Sequence, residues 1–142
     1  MTIVPQSRKA VDPELAEVLR ALGAAAEAME WRVGPHPEAQ GPESAAALFF
    51  TWGDEGKWVP GREMVEVAGA GVELFGGEVA ARVAGDVRDA LVLRPRRHAG
   101  WEVEAHDAAL VGKLQSAFPN VVRLGGGKWQ IPPGNRSAPA PR

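Results

Sequence analysis

Leu91-Val92-Leu93-Arg94-Pro95-Arg96-Arg97-His98-Ala99-Gly100-Trp101-Glu102-Val103-Glu104-Ala105 is the stretch on which the fold turns. Two β-prone runs, Leu91 to Leu93 and Trp101 to Ala105, flank a loop rich in arginine that also holds proline and glycine. Apolar runs separated by turn residues read as a β-hairpin, here with a basic loop.

Working toward the C-terminus, Asp107 is a good helix N-cap, and Leu110, Val111, Leu114 and Phe118 form an apolar stripe behind it. Pro119-Asn120 ends that helix. Val121 to Leu124, the turn Gly125-Gly126-Gly127 and Lys128 to Ile131 make a last hairpin. Its Gly127-Lys128-Trp129 corner echoes Gly56-Lys57-Trp58 earlier in the chain, and each is followed closely by a proline. The echo predicts a matching early hairpin: a β-rich run from Ala46 to Trp52, a turn over Gly53 to Gly56, and a return through Lys57-Trp58-Val59.

Working toward the N-terminus, Asp12-Pro13-Glu14 is a helix start, with an acceptor, a proline at the first helical position and an acid in the first turn. Leu15, Val18, Leu19, Leu22 and Met29 follow at helical spacing, which predicts a helix over 13–30. Gly23 weakens it by about 1 kcal/mol relative to alanine. Trp31-Arg32-Val33 opens a strand, and Gly34-Pro35-His36-Pro37 and Gly41-Pro42 mark a loop. Arg62 to Phe75 reads as two short strands around Gly69-Ala70-Gly71. Val79, Val83, Val87 and Leu91 recur every fourth residue and favour a helix over 78–90, although Gly85 argues for a break there.

The elements add up to an α+β fold: an antiparallel sheet of β-hairpins with two or three helices packed on one face. Residues 1–10 read as a flexible lead-in, 11–132 as a single domain, and 133–142 as a disordered, Pro-rich tail.

Composition narrows the function. The chain has 142 residues and no cysteine, which excludes disulfides and thiol chemistry. Its N-terminus lacks the apolar core of a secretory signal, and its longest strongly apolar run, Ala45 to Phe50, falls far short of the roughly 20 residues that span a bilayer. These features lead us to expect a cytoplasmic protein without membrane contact. No catalytic or metal motif is present. His36, His98 and His106 form no H-x-H or H-E-x-x-H pair, and none of the four serines sits in a nucleophile elbow. Gly69-Ala70-Gly71-Val72 is not a phosphate-binding loop. We expect no enzyme, no cofactor and no metal.

Charge is distributed unevenly. Residues 1–93 hold 8 basic and 15 acidic side chains, and residues 94–142 hold 8 basic and 3 acidic. Such asymmetry hints at a polyanion-binding end, unless the halves pack so that their charges interleave. Arg94, Arg96 and Arg97 share the hairpin loop with nearby Trp101, and guanidinium groups beside an aromatic ring suit phosphate contact and base stacking. Arg123 and Lys128 on the last hairpin extend that surface. The expected function is a small accessory or regulatory protein that contacts nucleic acid, single-stranded above all, through Arg94, Arg96, Arg97, Trp101, Arg123 and Lys128. The alternative is a protein–protein interaction or regulatory module that meets its partner through the acidic N-terminal part or through a sheet face carrying Trp52 and Trp58. The segment from Trp101 to Pro132 puts a strand before Asp107-x-x-Leu110 and ends in Trp129-x-Ile131-Pro132. It resembles small β–α–β modules appended to some DNA helicases and annealing enzymes, and that likeness, over about a quarter of the chain, implies nucleic-acid contact.

Overall fold

A computed structural model describes residues 13–96 and 99–133. Asp12, the lead-in over 1–10, the loop residues Arg97 and His98, and all of the expected tail except Pro133 lie outside them. In chain order the helices are α1 (Leu15–Leu22), α2 (Ala24–Ala28), α3 (Glu43–Glu55), α4 (Gly61–Gly69) and α5 (Ala108–Ala117). The strands are β1 (Met29–Val33), β2 (Glu38–Gln40), β3 (Val59–Pro60), β4 (Glu73–Gly76), β5 (Val79–Val83), β6 (Leu91–Arg96), β7 (Gly100–Ala105), β8 (Val122–Gly125) and β9 (Lys128–Ile131).

Seven of the strands form one antiparallel sheet in the order β3-β1-β5-β6-β7-β9-β8, and β2 and β4 pair separately. The fold is therefore α+β, as the hairpin pattern predicts. Because side chains alternate across a strand, the register sorts residues into two faces. Val33, Val79, Leu93, Val103, Trp129 and Arg123 lie in one cross-strand row. Trp31, Ala81, Leu91 and Ala105 lie in the next row on the same side. Apart from Arg123 and the half-buried Trp129, these side chains are buried with the apolar sides of the helices in a single core. Full burial of a Leu- or Val-sized side chain contributes about 1.5–3 kcal/mol, so this face carries most of the stabilisation.

Local chemistry explains the elements read correctly. The Asp107 side chain accepts from the Ala109 N–H at 2.8 Å and caps α5. Leu110, Val111 and Leu114 are its buried residues. At the other end of the chain, the Glu14 N–H donates to the Glu17 carboxylate at 2.8 Å at the start of α1. Leu15, Val18, Leu19 and Leu22 form the buried stripe of α1. The predicted single helix over 13–30 is divided at Gly23, and a strand begins already at Met29. Trp31 holds that junction by donating its Nε1–H to the Ala26 carbonyl at 2.9 Å.

Three expectations are overturned. The early hairpin does not exist: Ala46 to Trp52 lies inside α3. Its buried residues are Ala45, Ala46, Phe49, Trp52 and Gly53, a helical spacing that outweighs the β-prone Phe, Thr and Trp composition. Gly56 closes α3 in the left-handed region (φ 65°, ψ 24°), so the first G-K-W corner is a helix end. Arg62 to Gly69 is α4, buried through Met64, Val67 and Ala68, and only its sequel β4 is extended. The helix favoured over 78–90 is instead β5 and the turn leading to β6. Two of the four valine-stripe positions are exposed, Val83 and, at 88%, Val87, so the fourfold recurrence marks no buried helix face.

Candidate interaction surface on the open sheet face

The second face of the sheet carries the charges. Arg94, Glu102, Gln130 and Val122 share one row, and Ala80, Val92, Glu104 and Lys128 share the next. This alternation of sign is wired together. Arg94 Nε donates to Glu78 at 2.9 Å, and its Nη1 reaches Glu102 at 3.1 Å and Glu104 at 3.2 Å. Arg96 Nη2 donates to the other Glu102 oxygen at 2.8 Å. Burial by itself lowers the pKa of the Arg94 guanidinium, but its bonds to Glu78 and Glu104 outweigh that, and the net direction is up. The hydrogen bond from Arg96 holds Glu102 below the ordinary carboxylate range against partial desolvation, helped by the charges of Arg96, Arg94 and Lys128.

Further along the same face, Trp58 is covered by arginines. The guanidinium of Arg82 lies 4.0 Å from its ring centroid and that of Arg32 lies 4.7 Å away. Arg82 is in turn bonded to Glu30 at 3.0 Å. Trp52 is not on this face: it is buried in the core from α3, its ring centroid 5.5 Å from that of Phe49. The expectation that Trp52 and Trp58 share a sheet face is therefore corrected.

The six residues predicted to form one nucleic-acid surface separate. Arg94, Arg96 and Lys128 lie on the open face. Arg97 is outside the described residues. Trp101 lies on the core face, 2% exposed, with its Nε1–H donating to the Pro13 carbonyl at 2.7 Å. Its ring is enclosed, and it offers no platform on which a base could stack. Arg123 sits at the core-face end of the row that holds Trp129, with its guanidinium 5.7 Å from that ring.

The strand expected over 121–124, β8, has a place in the sheet that the sequence does not reveal. It is the terminal strand of the sheet, and all four of its residues are exposed, Val122 at 49% and Leu124 at 53%. The opposite edge, β3, has two residues. Alongside β8 a groove is lined by His106, Val111, Gln115, Arg123, Gly127 and Trp129. Among the described residues no group of three or more His, Asp or Glu side chains is placed to hold a metal ion. Nor is any helix among them long and apolar enough to cross a membrane.

No protein-family model matches this chain, and no curated protein or solved structure matches it either.

Proposed function

We propose that this protein is a non-enzymatic interaction module that engages a protein partner through the open sheet face and its free β8 edge. One observation carries the reading: an exposed edge strand presents Val122 and Leu124 beside a face on which Arg94 and Arg96 are already paired with carboxylates. An unpaired sheet edge is a template for another strand, and proteins usually shorten or cover such edges. Here one edge is short and the other is left uncovered by the described residues. A face of compensated charges also suits a protein surface, where complementary patches set register and specificity. Polyanion binding by contrast depends on cations free to neutralise phosphates. Arg94, held by three carboxylates, is poorly suited to that role.

The reading is tested by placing a photo-crosslinking residue at position 122, at 128, or at the exposed position 62 on α4, and irradiating the protein in its source cells. Defined protein adducts from 122 and 128, absent from 62, are the expected result. Equal labelling from all three, or adducts removed by nuclease, would sink it.

Nucleic-acid contact is the second reading. It is favoured by the β8–β9 end, where Arg123 and Lys128 form no ion pair with described residues and Asp107 is the only acid from 106 to 133. Titration against labelled oligonucleotides discriminates. Binding that weakens steeply with salt supports the second reading, and no binding at low salt removes it.

A further inference from the structure

We infer that the β8 edge accepts an extended partner segment carrying an acidic residue between two apolar ones, added antiparallel to β8. This inference rests on the interaction reading above and specifies the partner's chemistry. Strand addition draws its affinity from main-chain hydrogen bonds and its specificity from alternate side chains. On β8 those side chains are of two kinds. Val122 lies on the open face, in register with Gln130, and Arg123 lies on the other side, in register with Trp129. The strand then shifts register between Arg123 and Gly125, and Leu124 between them is exposed. A segment pairing with Val122-Arg123-Leu124 therefore meets apolar surface, then a cation, then apolar surface.

The Arg123 position selects the charge. Its guanidinium has no carboxylate within ion-pair distance among the described residues. It lies over Trp129 at the mouth of a groove of about 370 Å³ whose other polar lining includes His106 and Gln115. That space exceeds a water molecule's share of roughly 30 Å³ many times over, so a carboxylate-bearing side chain has room beside the guanidinium. The alternative occupants carry the wrong charge. A second copy paired β8 to β8 about Arg123 sets like charges opposite each other, which is destabilising. Residues 134–142 of this chain contain Arg136 and Arg142 and no acid.

The probes are two capped peptides, Thr-Val-Glu-Val-Thr and Thr-Val-Lys-Val-Thr, titrated into the full chain with amide chemical shifts as the readout. The expected result is a set of shifts centred on Val122, Arg123 and Leu124, with the Glu peptide bound about five- to tenfold more tightly than the Lys peptide. Arg123→Glu reverses the preference, and Arg123→Gln abolishes it while β8 still binds. Because position 123 is exposed, unchanged amide spectra elsewhere show that the variants remain folded. Equal binding of both peptides at β8 overturns the acidic partner and leaves the interaction reading intact. Shifts confined to other strands, or no shift at millimolar peptide, overturn strand addition at β8, and the crosslinking pattern then decides the broader reading separately. Concentration-dependent β8 shifts without peptide assign the edge to a second copy. β8 shifts produced by oligothymidylate but by neither peptide overturn both.

Discussion

The two faces of the seven-stranded sheet use the same backbone and hydrogen-bond ladder, yet they are held by different forces. One face joins Trp31, Val33, Leu91, Leu93, Trp101, Val103 and Ile131 to the helices in a continuous core. The other joins Glu78, Arg94, Glu102, Arg96, Arg82 and Glu30 by ion pairs that are partly open to water. Apolar burial is stabilising in proportion to area, whereas exposed ion pairs are worth about 0–1 kcal/mol each. The difference teaches that the core face determines whether the chain folds. The open face is free to serve recognition because so little stability depends on any one of its side chains.

The strongest attempt to break this contrast is Trp101→Ala. It removes a buried ring and its bond to the Pro13 carbonyl, and we expect a loss of about 3–5 kcal/mol by denaturant unfolding. Arg94→Ala comes next. It leaves Glu78, Glu102 and Glu104 clustered without their shared cation, and the expected loss is about 1–2 kcal/mol, discounted because the guanidinium is partly solvated. If the two variants cost the same, the distinction between the faces fails.

The smallest effect is in the pH dependence. The folded state holds Glu102 below its ordinary value, so in acid the unfolded chain binds its proton first. Its contribution is therefore fully present above the ordinary carboxylate value and is lost as pH falls through the depressed one. Glu102→Gln should flatten the acid limb of stability measured against pH, and an unchanged slope there would remove Glu102 from the account.

Legibility in the sequence follows the same physical divide between local and tertiary determinants. From Leu91 onward the turns and caps are encoded locally. Gly125-Gly126-Gly127 has positive φ throughout, and Asp107 caps its helix. Those signals survive without knowledge of the rest of the fold. Before Leu91 the outcome was set by what packs on what. Phe49 and Trp52 are β-prone, but they face the core from a helix that starts after Pro42 and stops at Gly56. The spacing of Ala45, Ala46, Phe49, Trp52 and Gly53 was the available signal, and composition obscured it. Gly61, whose Cβ would collide with the Ala26 carbonyl, likewise reveals its role only in the packed structure. At the surface, the basic residues were visible as a cluster along the chain. Their separation onto two faces, and the carboxylates that hold Arg94, depended on cross-strand register.

The bond from Trp101 to the Pro13 carbonyl has a consequence for synthesis on the ribosome. It joins positions 88 residues apart, which at translation speeds of about 5–20 residues per second separates their emergence by roughly 4–18 s. During most of that interval Leu15, Val18, Leu19 and Leu22 have emerged while their neighbours on β7 and α5 have not, although α4 is already available to pack against part of α1. Part of the apolar side of α1 therefore stays open to water until the β7–α5 region follows it, even after α4 has packed against the rest.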